Sequence, residues 1–210
     1  RFEAADDTFA QLNTALASEG VVLRVAPGIR CEVPIHLVFV GVPDATDRAF
    51  ALRHLIELRE AAQVSIAEHH LAAGGHAHLT NAIAHVHLKP AAELTHLRLQ
   101  ADAETATQIL RTDAVLARAA HYRRVDLELG AGLSRHELNA ALHGKDARLD
   151  AGGALLAAGK RHLDTRLGID HVGRDTACAL NWRGLATQRA RVAFHGGILI
   201  REGADGTDAR

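Results

Sequence analysis

The sequence has no methionine, two cysteines, four prolines and few aromatic side chains, 3% of its 210 residues. Each scarcity excludes something. Cys31 and Cys178 lie far apart without CxxC spacing, so no disulfide framework is indicated and both are read as free thiols. A face-to-face sandwich more often buries large rings, which are in short supply here. No apolar run approaches the roughly 18 residues of a spanning helix, and no signal-peptide pattern opens the chain, which favours a cytoplasmic protein. Acid and base nearly cancel to a formal net charge of −1, so no global field draws nucleic acid or an anionic membrane. Walker-type loops, GxSxG, HExxH and dinucleotide fingerprints are all missing, and nothing assembles a nucleophile, a base and an oxyanion hole. The opening Arg1-Phe2-Glu3, without a methionine, is what a segment of a longer protein would show.

What is present is period-two alternation. One helix is predicted over Thr8 to Ser18, where Phe9, Leu12, Ala15 and Leu16 recur at helical spacing and Gly20 stops the run. A second helical stretch is weighed near Glu104 to Ala120, against the low propensity of Thr105, Thr107 and Thr112. Strand-like alternation covers Val21 to Val25, Ile35 to Val40, Leu52 to Leu58, Val64 to His70, His76 to Leu88 and Leu94 to Gln100. It resumes in Tyr122 to Leu129, Leu138 to Leu142, Ala147 to Leu156, Leu163 to Ile169 and Arg191 to Ile200. Corners are read at Gly74-Gly75, Gly130-Ala131-Gly132, Gly144, Gly152-Gly153, Gly159 and Gly196-Gly197. An internal echo links Ala62-Gln63-Val64, Ala92-Glu93-Leu94, Ala147-Arg148-Leu149 and Ala190-Arg191-Val192, each following a leucine and a short polar corner. Its uneven intervals, about 30 to 55 residues, predict one or two coils of an imperfect solenoid. The expected fold is all-β, a parallel β-helix, with residues 1–20 as a helical lead-in and 21–210 as the core.

The 15 histidines supply the first candidate chemistry. His69 and His70 are adjacent, while His76/His78 and His85/His87 are spaced to share a strand face, where imidazoles either bind a metal or stand solvated and stacked. A histidine-rich metal module would bind zinc or iron through His85 and His87. A second cluster, His162-Leu163-Asp164 and Ile169-Asp170-His171, joins carboxylates to imidazoles. It reads either as a polar ladder along the coil or as acid–base machinery, Asp164 and Asp170 then serving a β-helical carbohydrate-active enzyme. Cys178, in the strand-like Ala177 to Trp182, and Cys31 are read as small core residues unless exposure and a depressed pKa make them reactive.

The C-terminal half carries motifs in a definite order. Ser134-Arg135-His136-Glu137-Leu138-Asn139 is followed by Gly159-Lys160-Arg161-His162-Leu163-Asp164-Thr165 and Ile169-Asp170-His171. Trp182-Arg183-Gly184 and Arg191-Val192-Ala193-Phe194-His195-Gly196 come next. This series resembles the core of the SufB/SufD family, scaffold proteins of the SUF iron–sulfur cluster assembly machinery. His162 to His171, as HxDxxxxIDH, is similar to the SufD branch. The resemblance implies a right-handed β-helix working as a non-catalytic scaffold beside an ABC-type ATPase and a paralogous SufB-like scaffold. It further implies an iron–sulfur cluster held transiently by the full complex and none by this segment, with self-pairing left open. The positions that fall on its motifs are Asn139, His162, Asp164, Asp170, His171, Trp182, Arg183, Gly184, Phe194 and Gly196, with His162, His171 and Cys178 as candidate metal ligands. Departures are Arg174 and Thr176 where the family often has Pro and Cys, Cys178 for serine, Trp182 for tyrosine, Arg183 for lysine and His195 for asparagine. The family's helical region before the core, and its further β-structure and helical region after it, are expected to lie outside these 210 residues.

Overall fold

A computed structural model describes residues 8–210, so the first seven residues of the expected lead-in lie outside the described part. The lead-in helix is α1 (Thr8–Leu16); the rest is a two-sheet parallel solenoid. The first sheet is built from β1 (Val22–Val25), β3 (Ala49–Leu58), β5 (Leu79–Leu88), β7 (Thr107–Leu116), β9 (Leu133–Leu142), β11 (His162–His171) and β13 (Arg191–Ile200), in that order. Facing it, β2 (Ile35–Gly41), β4 (Gln63–Ala72), β6 (Glu93–Ala101), β8 (His121–Glu128), β10 (Arg148–Ala157), β12 (Ala177–Ala186) and β14 (Asp208–Ala209) form the second. The chain alternates between the sheets, and each strand pairs in parallel with the strand one turn on. With seven rungs per sheet, there are more coils than the one or two expected from the uneven echo. The turns are also more even than that echo, stacked pairs lying 26 to 33 residues apart.

The echo has a physical cause at the tight corner between the sheets. Each strand of the first sheet from β3 to β9 ends on a fully buried leucine, and Leu58, Leu88, Leu116 and Leu142 stack in register. A four-residue turn follows, closed by hydrogen bonds such as Ala62 N to Arg59 O at 3.1 Å and Ala92 N to Lys89 O at 3.0 Å. Its third residue is left-handed: Ala61, Ala91 and Ala119 have φ of 54°, 57° and 54°. That conformation costs a non-glycine residue ~1–2 kcal/mol. In return it aims the residue's N–H along the axis, Ala61 to Pro90 O and Ala91 to Arg118 O, both 2.9 Å. The next alanine, Ala62, Ala92, Ala120 or Ala147, is wholly buried under its neighbours.

Several local readings change in this frame. Glu104 to Ala120 forms no helix: β7 occupies it, with Gln108, Leu110, Thr112, Ala114 and Leu116 inward, because stacking between β5 and β9 overrides local propensity. His76 and His78 leave the expected strand and lie in the wide corner before β5. Gly152-Gly153 and Gly196-Gly197 are inside β10 and β13, not at corners. At Gly153 a methyl group would collide with the backbone of Asp126, 2.7 Å away, and with the Trp182 ring.

The apolar stripe of α1 faces out, Phe9 being 41% and Leu16 57% exposed, whereas Asn13 is buried. Its amide donates to Leu52 O and Asn81 O, both 2.9 Å, and Arg53 Nε donates back to its oxygen at 3.1 Å. Hydrogen bonding, not the apolar spacing, docks this helix.

Adjacent alanines at one corner should respond oppositely to substitution. Ala91→Gly relieves the left-handed strain and stabilises by up to about 1 kcal/mol. Ala92→Leu overfills the corner and destabilises by about 1–3 kcal/mol. Urea unfolding midpoints give both, and a reversed order would contradict the corner geometry.

Candidate functional site

Inward side chains near the tight corner are aliphatic, but towards the wide corner the interior turns ionic. In β6 the inward residues are Leu94, His96, Arg98 and Gln100; in β8 they are Tyr122, Arg124, Asp126 and Glu128. Arg98 and Arg124 are only 1% and 2% exposed. Burial on this scale costs several kcal/mol per ion unless partners are close, and here they are. Arg124 Nε donates to both oxygens of Asp126 at 3.0 Å, and its Nη1 donates to the Tyr122 hydroxyl at 2.8 Å and Thr112 Oγ1 at 3.2 Å. Arg98 Nε donates to Asp126 at 3.0 Å and its Nη2 reaches Glu128, which also accepts from Ser134 Oγ at 2.9 Å. Glu68 links His70, at 2.6 Å, to His96, at 2.9 Å, and His96 meets the Tyr122 hydroxyl at 3.1 Å.

These contacts set the protonation states. Burial would raise the Asp126 carboxyl, but the guanidinium charges of Arg124 and Arg98 hold it far below the usual range. Glu68 is likewise held well below its ordinary value, against burial, by hydrogen bonds from His70 and His96. Burial first, then neighbouring guanidinium charge, pushes His96 and His136 down, so both stay neutral.

A second cluster sits where three apolar columns change chemistry in one turn. The leucine column continues through Leu142 to His171; the corner alanines are replaced by Thr176; and the inward column passes from Leu149 to Cys178. His171 Nδ1 is 2.7 Å from Thr176 Oγ1, and His171 Nε2 is 3.3 Å from Cys178 Sγ. Thr176 Oγ1 donates to Gly173 O, so Nδ1–H donates to the threonine and Nε2 accepts from the thiol. Burial pushes the Cys178 thiol up and the His171 imidazole down, making the pair thiol and neutral imidazole. Beside it, Asp170 accepts two hydrogen bonds from Arg201, both 2.8 Å.

Of the candidate metal ligands the fold therefore unites His171 and Cys178. His162 stands at the opposite end of β11, nine residues or about 30 Å away. Among the described residues no three His, Cys, Asp or Glu side chains converge as a metal site. His85 and His87 share the outer face of β5. On the same outer face of this sheet, Asn139 donates to Asp113 at 2.9 Å and Asp164 accepts from Arg166 at 3.4 Å. Asp164 and Asp170 are six positions apart on one strand, about 20 Å, well beyond the 5–9.5 Å of paired glycosidase carboxylates. Trp182 packs 5.7 Å from Phe194, Arg183 points outward to Asn181, and Gly184 and Gly196 lie in the last full strands beside them. The ionic interior escaped the sequence reading, although Tyr122, Arg124, Asp126 and Glu128 alternate on one face. Exposed Leu97 and Val125 in the same strands reverse the usual rule of apolar in and polar out.

Two measurements probe these groups. His96 and His136 bind protons less readily folded than unfolded, so stability is full above pH ~6.5 and falls below it, by up to about 1.4 kcal/mol per pH unit for each. Urea midpoints from pH 7.5 to 5 should drop accordingly, and His136→Gln should flatten the slope; a level profile would count against neutral buried imidazoles. With a disulfide reagent, half-buried Cys31 should react at least tenfold faster than Cys178. Equal rates would mean that the Cys178 corner opens readily.

Comparison with known proteins assigns the solenoid to a family. The family described as SUF system FeS cluster assembly, SufBD core domain, matches residues 42–210, nearly the whole solenoid. An iron–sulfur cluster assembly SufBD family protein of Synechocystis is 27% identical over 98% of this chain and 47% of its own length. The iron–sulfur cluster assembly protein SufD of Escherichia coli is 23% identical over 97% of this chain and 49% of its own. The chain thus spans about half the length of these relatives, and by the match along its solenoid it belongs to the SufB/SufD family of the SUF iron–sulfur cluster assembly system.

Proposed function

We propose that this chain is the solenoid of a SufD-like scaffold subunit, without catalysis of its own, that works in the cytoplasm beside a SufB-like paralogue and an ABC-type ATPase. The observation that carries the reading is the family match along the solenoid from residue 42 to 210. Its physical basis is stiffness. Parallel pairing runs through every rung, and the corner ladder adds further hydrogen bonds along the axis. A rod of this kind transmits a rotation applied by a nucleotide-driven partner with little loss. The cluster under construction is cargo of the assembled complex, and no residue of this chain is assigned as its resident ligand. The alternative of a carbohydrate-active enzyme lacks its carboxylate pair, since Asp164 and Asp170 are far apart and each faces an arginine.

An anaerobic pull-down from native cytosol with tagged full-length protein tests the proposal. It should retain an ABC-type ATPase and a paralogous scaffold. Cluster assembly supported by the intact protein without any ATPase would overturn it.

A further inference from the structure

The outer face of the second sheet holds a contact that the ionic interior does not use. His36 on β2 and His69 on β4 approach with Nδ1 of one 3.1 Å from Nε2 of the other, their planes 11° apart and ring centres 5.3 Å apart. Nitrogens this close between centres this distant mean that the rings meet edge to edge, nitrogen to nitrogen. One N–H donates to the other ring's lone pair, so at least one imidazole is neutral.

Register creates the contact. The partner of His36 on β4 is Ala67, whose methyl leaves room for both rings, and the partner of His69 on β2 is Val38. On β6 the neighbours are Leu97 and Leu99. The rings thus stand among aliphatic neighbours, which offer their nitrogens no competing hydrogen bond. Among the described residues neither ring enters an ion pair, and β2 is the edge strand, which leaves His36 exposed.

We propose that His36 and His69 form a two-imidazole site for a borderline divalent transition-metal ion, with water completing its coordination. Metal–nitrogen bonds of about 2.0–2.1 Å at a tetrahedral angle place the two nitrogens roughly 3.3 Å apart. The observed 3.1 Å is already close to that spacing. A modest swing of exposed His36 and half-buried His69 aims one nitrogen of each ring at an ion above the sheet, the proton between them passing through solvent to the donor ring's other nitrogen. The closely spaced His85/His87 and the twice-bonded His78 are less suited. His85 and His87 are about 7 Å apart along one strand, and both nitrogens of His78 are engaged, by Arg48 N and Val42 O.

Copper(II) is the probe, since imidazole sites bind it most tightly among first-row divalent ions. It is titrated into the untagged full-length protein at pH 7.5, by calorimetry and electron paramagnetic resonance. The expected result is a first equivalent showing two nitrogen ligands. His36→Ala and His69→Gln should each weaken it at least tenfold, whereas replacing His85 and His87 together leaves it unchanged. Lowering the pH to 5.5 should also weaken it more than tenfold, because the ligands must give up protons. The assignment is overturned if the first equivalent survives both single substitutions, or disappears only when His85 and His87 are replaced.

Discussion

In-register parallel pairing is the constraint on which the rest of this molecule depends. Each residue lies beside the equivalent residue of the next turn, so a side chain is judged by its column as much as by its neighbours in sequence. Leu58, Leu88, Leu116 and Leu142 form one such column and the buried corner alanines another. A wrong residue in a column disturbs two turns at once. That is why left-handed alanines persist at the corners despite their local cost: the N–H each one aims along the axis completes the ladder.

The same constraint makes an ionic interior tolerable. Arg98 and Asp126 sit on neighbouring rungs in register, as do Gln100 and Glu128, so guanidinium and carboxylate meet without distorting the backbone. Removing either partner would strand a charge in a low-dielectric space, and such losses cost more than the pair contributes when intact. The strand phase that sends these ions inward sends Leu97 and Val125 outward. Aliphatic exposure on the second sheet and charge burial inside it are two consequences of one alternation.

The turn carrying His171, Thr176 and Cys178 departs from the column rule at three positions together. Each polar group there satisfies another, so the departure is compensated locally and the thiol is kept protonated by burial. Family membership gives this turn its setting: a solenoid of the SufB/SufD core with a buried thiol at position 178. The sequence resemblance had singled out His162, His171 and Cys178 together, and strand geometry divides them, because residues at the two ends of a ten-residue strand cannot share a ligand.

The sequence by itself determined the class of fold. Alternation in segments such as Arg191 to Ile200 dictates strands, the scarcity of rings suits a narrow core, and the ordered motifs from Asn139 to Gly196 identify the family. Tertiary structure decided what alternation cannot: which face of each strand is the inside. Period two is symmetric between Arg124-Asp126-Glu128 inward and Val125-Leu127 inward, and hydrophobicity alone selects the second; Tyr122 and the rungs above and below select the first. The middle of the 104–120 segment, Thr107–Leu116, becomes strand for the same reason, since its neighbours offer hydrogen bonds on both sides that no local propensity records. Contacts one turn apart, such as His36 with His69 or Asn139 with Asp113, depend on coil length, which varies from turn to turn. Only the folded register sets that length, because side chains meet there through space and not through sequence.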